Sequence, residues 1–148
     1  MRCALLGIFL GIFSVLVHFV DAWGPGGDLV DACAYNGSTF TDGYLLGAYC
    51  LNDQTAIFGY NYTIIDLNLC VGNDDGTLVG LENGSYSEGC SNCTTANRDQ
   101  SLYLICACLD INGQQHSSSI DLNTVLYNVD GCAHCFGHAG NKSWTPPS

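Results

Sequence analysis

Two short polar runs, Asn73-Asp74-Asp75-Gly76 and Asn128-Val129-Asp130-Gly131, are the residues of this chain best equipped to hold a polar ligand. Asparagine both donates and accepts hydrogen bonds, and an ionised aspartate accepts strongly. The runs therefore suit a partner that presents neighbouring hydroxyls. Asn and Asp before Gly are also what a tight turn needs, so the runs alone assign no ligand. Asp74 and Asp75 suggest calcium, yet their spacing matches no EF-hand loop. Asp66 and Asp121 are isolated in repeated strands, where bonding to nearby backbone is the expected role. His116 and His134 stand singly, and no Ser/His/Asp or Cys/His order stands out for catalysis.

The cysteines carry a second possible chemistry. Cys90-x-x-Cys93 with Cys132-x-x-Cys135 has the spacing of a four-thiolate zinc site, with His134 and His138 beside it. The start of the chain decides between zinc and oxidation. Arg2 precedes an apolar run from Ala4 to Val20, and Val20-Asp21-Ala22 suits a signal peptidase, so residues 1–22 read as a cleaved secretory signal peptide. A secreted chain meets an oxidising compartment, so a disulfide framework is expected and no metal site. Cys33, Cys50, Cys70, Cys90, Cys93, Cys106, Cys108, Cys132 and Cys135 follow the cleavage point. Their number is odd, which leaves one thiol free, capped or paired between chains. Sequons agree with secretion and make Asn36, Asn61, Asn83 and Asn141 the expected glycan acceptors; a fifth, at Asn92, has Cys93 in its middle position.

Charge excludes whole classes of partner. After residue 22 the chain keeps only Arg98 and Lys142 as basic residues, and the full sequence has a formal net charge of −11. Nothing there neutralises phosphates, so nucleic acid and anionic membrane surfaces are rejected. No second long apolar run exists, so membrane insertion is not expected.

The polar runs need elements to position them, and those elements repeat. Ile65 to Gly76 returns as Ile120 to Gly131 at an offset of 55, with seven of twelve positions identical. Tyr86 to Cys90 matches Leu29 to Cys33 at an offset of 57, and Leu102 to Cys108 matches the run ending at Cys50 at 58. Loops absorb such differences easily. Leu29 to Cys33 reads as the start of a strand, and Tyr44–Cys50, Asn61–Leu69, Thr77–Leu81 and Ser119–Leu126 as strands. Asn-Gly and Asp-Gly pairs between apolar runs signal hairpins. No stretch has sustained helical periodicity. The expected fold is all-β: two tandem pseudo-symmetric repeats of short three-stranded sheets and hairpins. The predicted domain spans 23–135, with repeats at about 28–82 and 83–135, followed by a flexible tail over 136–148.

Taken together, the doubled Ile-Asp-Leu-Asn and Asn-x-Asp-Gly runs resemble the cyanovirin-N homology family of lectins. Tyr86-Ser87-Glu88-Gly89-Cys90 resembles that family's aromatic-Ser-x-x-Cys opening, and Leu29-Val30-Asp31-Ala32-Cys33 is a weaker version. Leu46-Gly47-Ala48-Tyr49-Cys50 and Leu104-Ile105-Cys106-Ala107-Cys108 resemble its Leu-x-Ala-x-Cys element. The resemblance implies segments exchanged between repeats, no enzyme activity, no cofactor, and glycans or glycoproteins as partners. It implies mannose-type oligosaccharides bound at two sites. Carried over, the first site uses Asn73, Asp74 and Asp75 with Glu88 and the segment after Cys108. The second uses Asn128, Val129 and Asp130 with Asp28 and Asp53. The resemblance also implies bridges Cys33–Cys50 and Cys90–Cys108, each closing a loop that contributes about 3 kcal/mol. A reading from another class stays open: a secreted disulfide-rich interaction or structural protein with this fold and no sugar binding.

Overall fold

Two aspartates bend the repeated stretch where a plain strand was expected. In a computed structural model, which describes residues 29–52 and 59–143, the strand before each Asp-Gly turn stops at Asp66 and at Asp121. Each carboxylate accepts from the backbone N–H two residues on, Asn68 and Asn123, both at 2.9 Å. That bond caps a single 3-10 turn, Leu67–Leu69 in one repeat and Leu122–Thr124 in the other. The asparagine of each motif then crosses between repeats. Asn68 Oδ1 accepts from Ser87 N at 3.1 Å, and Asn123 Oδ1 accepts from Val30 N at 3.2 Å. The duplicated Ile-Asp-Leu-Asn thus caps its own turn with Asp and pins the opening of the other repeat with Asn.

Those openings are helical, which corrects the strand expected over Leu29–Cys33. Leu29–Ala32 forms one turn of helix, α1, and Tyr86–Glu88 forms a 3-10 turn. A strand would put Leu29 and Asp31 on one face. Helical winding instead buries Leu29 and leaves Asp31 in solvent.

After each opening come three antiparallel strands: β1 (Cys33–Thr41), β2 (Leu45–Leu51) and β3 (Tyr60–Asp66), then β6 (Cys90–Arg98), β7 (Ser101–Leu109) and β8 (Gln115–Asp121). Each repeat then adds a hairpin, β4 (Val71–Asp74) with β5 (Thr77–Gly80), and β9 (Tyr127–Val129) with β10 (Cys132–Cys135). Each hairpin docks on the sheet of the other repeat. Leu78 N donates to Ser118 Oγ at 2.8 Å, and Ala133 N donates to Thr63 Oγ1 at 3.1 Å. These pairs are equivalent through the 55-residue offset. The segments are therefore exchanged, and the all-β, doubled architecture holds.

The predicted flexible tail is corrected as far as Ser143. Phe136 and Gly137, both at positive φ, turn the chain into β11 (His138–Ala139), which pairs with β10. Strand β12 (Asn141–Ser143) then joins the edge of β3, giving the sheet order β1-β2-β3-β12. Phe136 packs on the core, which gives this segment an apolar anchor.

The core lies between the repeats and includes Leu29, Leu46, Leu67, Tyr86, Leu104 and Leu122. The Tyr86 hydroxyl donates to Gly43 O at 2.7 Å, another link between repeats. Burial, with the Asp66 carboxylate nearby, raises the pKa of that phenol well above its ordinary value. Disulfides Cys33–Cys50 and Cys90–Cys108 join residues directly opposite each other across β1–β2 and β6–β7. Cys93–Cys106 lies beside the second of these, and Cys70–Cys135 ties one repeat to the other's hairpin. Cys132 is oxidised as well, and no described cysteine is a free thiol. The paired Cys-x-x-Cys motifs do not converge: Cys90 and Cys93 bond across to β7, while Cys135 bonds to Cys70.

Candidate functional site

Both polar runs form two-residue hairpin turns. Asp75 and Gly76 have φ of 48° and 83°, and Asp130 and Gly131 have 47° and 73°. Two successive positive φ values define the type I′ turn, whose twist matches a tight hairpin. Asp-Gly supplies them with little strain.

Each turn is clamped to the other repeat by its leading asparagine. Asn73 Nδ2 donates to Leu109 O at 2.8 Å, and Asn128 Nδ2 donates to Leu51 O at 2.8 Å. At the first turn Asn73 Oδ1 also accepts from Gly76 N at 2.9 Å. Asp75 Oδ1 accepts from Ile111 N at 2.9 Å. The segment after Cys108 therefore lies against the first turn, as the resemblance implied. Glu88 is exposed, and its neighbour Gly89 packs on Asn73; a Cβ on Gly89 would sit 2.7 Å from Asn73 Nδ2. Asp74 is exposed to solvent.

Asp110 falls within the segment after Cys108 assigned to this site, whereas His116 was not among the predicted site residues. Asp110 Oδ1 accepts from Asn112 N and Gln114 N, both at 2.8 Å, and its Oδ2 lies 3.0 Å from His116 Nε2. The His116 side-chain bond, followed by the Gln114 N–H, holds the Asp110 carboxyl below the usual carboxylate range. The His116 ring packs on the turn itself, 2.8 Å from where a Gly76 Cβ would stand. The repeat offset was the available signal. Asn52 and Asn61 occupy the matching places at the second turn, where Asn52 Nδ2 donates to Asn61 Oδ1 at 3.2 Å and Asn61 packs on Gly131.

The second turn differs in character. Val129 is exposed and offers no polar side-chain atom. Lys142 Nζ, on β12, lies 3.1 Å from Asp130 Oδ2. Asp28 and Asp53, assigned to this site, lie outside the described residues, as do the expected signal peptide and residues 144–148. Beneath it His134 is buried against Tyr127, and desolvation, then the Lys142 charge, lowers its pKa.

Of the expected glycan acceptors, Asn36, Asn83 and Asn141 are exposed and Asn61 is half-buried. Among the described residues no three His, Cys, Asp or Glu side chains are grouped to hold a metal ion, and no helix is long and apolar enough to cross a membrane.

The CVNH domain family model matches residues 32–141. Solved structures agree. An NMR structure of GzCVNH from Gibberella zeae is 25% identical, covers 72% of this chain and 95% of its own, and superposes with a TM-score of 0.60. Microvirin, solved with mannobiose, is 24% identical over 74% of this chain and 98% of its own, with a TM-score of 0.60. A variant of MoCVNH3, solved with (N-GlcNAc)4, is 14% identical over 76% of this chain and 99% of its own, with a TM-score of 0.64. No curated protein sequence matched.

Proposed function

The chain belongs to the CVNH domain family, and on that footing we propose that it is a carbohydrate-binding lectin, secreted, that recognises mannose-type oligosaccharides and catalyses no reaction. The observation that carries this reading is the pair of Asn-x-Asp-Gly turns clamped alike, Asn73 to Leu109 O and Asn128 to Leu51 O. Fixed polar turns of this kind offer vicinal hydroxyls both donors and acceptors without further ordering. Relatives solved with mannobiose and with (N-GlcNAc)4 support a glycan as the ligand class. Single shallow sites bind weakly, so two on one chain gain through avidity on a branched glycan.

The first turn, with Asn73, Asp74, Asp75 and Glu88, is the stronger candidate. The second presents Val129 and an Asp130 engaged by Lys142. That difference, with the additional bridges Cys70–Cys135 and Cys93–Cys106, favours one alternative: a disulfide-rich interaction or structural protein without sugar binding.

A glycan array on oxidised protein, produced without N-glycosylation, separates the two. The lectin reading expects signal on mannose-terminated glycans that disappears in Asn73→Ala and Asp75→Ala variants that remain folded. A blank array from folded protein would move the assignment to the alternative.

A further inference from the structure

We propose that Ile111 sets the specificity of the first site by seating the apolar face of a neutral sugar, while the surrounding carboxylates turn anionic glycans away. The inference rests on the lectin reading and names the ligand chemistry of that site.

Ile111 is 86% exposed, and the next most exposed large hydrophobic residue among those described, Tyr60, is 52% exposed. Scattered exposed apolar residues are ordinary on protein surfaces. Ile111 differs because its backbone is held: its N–H donates to Asp75, and Asp110 before it is anchored by Asn112 N, Gln114 N and His116. Leu109, two residues earlier, is 45% exposed, and its carbonyl accepts from Asn73. An ordered apolar rim therefore adjoins an ordered polar turn. Ligand sites combine apolar surface with a few placed polar groups in this way. A pyranose is amphipathic in the matching sense: hydroxyls line its edge, and C–H groups or an N-acetyl methyl form an apolar face. With hydroxyls on Asn73 and Asp75, that face comes to rest on Ile111 and Leu109.

Charge supplies the second half of the selection. Asp75 bonds the Ile111 N–H and Asp110 precedes it with His116, Asp74 is the exposed residue before Asp75, and Glu88 is next to Gly89, which packs on Asn73. Neither basic residue of the described chain is near: Arg98 is at the far end of the β6–β7 ladder, and Lys142 is at the second turn. A sialic or uronic acid would meet carboxylates with no Lys or Arg to offset them.

The test is calorimetric titration of the full oxidised chain carrying Asn128→Ala, which removes the second clamp, with mannobiose, N-acetylated chitotetraose and sialyllactose. Covering about half of an isoleucine side chain corresponds to roughly a tenfold affinity change. Ile111→Ser is expected to weaken both neutral ligands about tenfold, and Ile111→Val to stay within about twofold. Sialyllactose should bind at least about tenfold more weakly than either. Because the side chain is exposed, neither Ile111 variant should unfold, and circular dichroism checks this. Ile111→Ser within about twofold of its parent, while Asn73→Ala abolishes binding, would overturn this inference and leave the lectin reading standing. Equal binding of sialyllactose would do the same. Loss of all binding on Asn128→Ala alone would overturn it too, and would place the working site at the second turn. No binding by the unmodified chain would overturn both.

Discussion

Replacing Asn73 by alanine should cost more than replacing its counterpart Asn128, although both head the same turn in the two repeats. Asn73 makes two hydrogen bonds, donating to Leu109 O at 2.8 Å and accepting from Gly76 N at 2.9 Å. Gly76 is buried, so its N–H would lose a partner that water does not easily replace. At about 1 kcal/mol for each bond, Asn73→Ala should destabilise the fold by about 2 kcal/mol. Asn128 makes the matching bond to Leu51 O, but its buried Oδ1 has no hydrogen-bond partner among the described residues. Alanine there loses one bond and relieves one uncompensated acceptor, so the cost should be about 1 kcal/mol or less. In a domain of this size each kcal/mol moves the melting temperature by about 4 °C. Thermal and guanidinium unfolding of the oxidised proteins would read the difference directly. Asn73→Asp is the sharper control, since it keeps the shape but turns an oxygen toward the Leu109 carbonyl, and it should be at least as damaging as alanine. Equal costs, or a larger cost at Asn128, would refute the reasoning that the first turn is the more tightly fixed of the two.

Three further outcomes follow from the packing. Removing Cys70–Cys135 as a double alanine variant should cost about 4 kcal/mol from the chain entropy of its 65-residue separation, whereas removing Cys93–Cys106 should cost much less because it nests inside Cys90–Cys108; denaturant midpoints of the two variants give the order. Tyr86→Phe leaves the Gly43 carbonyl without its 2.7 Å partner and should cost about 1–2 kcal/mol in unfolding experiments, while ultraviolet titration of the unmodified protein should find one phenol that ionises only well above the usual range. His134 holds its proton less tightly folded than unfolded, so its contribution to stability is present above the ordinary imidazole value of 6.5 and is lost as pH falls through the lowered folded value. Denaturant midpoints at pH about 7.5 and about 5.5 should show a smaller fall for a His134→Gln variant than for the unmodified chain.

Much of the fold was legible because its signals are local or repeated. Asp-Gly between apolar runs strongly favours a type I′ turn, and Asp75-Gly76 and Asp130-Gly131 both form one. The helical openings were not legible, because four residues such as Leu29-Val30-Asp31-Ala32 hold too little pattern to separate periods of 2 and 3.6. The ordered segment from Phe136 to Ser143 escaped for another reason. Its strands are two and three residues long and exist because β3 and β10 offer free edges. At the candidate site, Asn73 and Asp75 stood out as a polar turn and Asp110 lay in the segment that the resemblance placed there, but His116 was not legible, since its place against Gly76 exists only because the hairpin of the other repeat docks beside it.

Sequence by itself determined the repeat, the positions of both turns, the acidic charge and the abundance of cysteine, since each is a property of residue type and order. Tertiary structure decided which distant groups meet. Asn68 reaches Ser87, Asn73 reaches Leu109, Cys70 reaches Cys135, and Lys142 reaches Asp130. Every one of these contacts joins segments that chain order separates, and in each the choice of partner was made by burying the apolar faces of two exchanged repeats against each other.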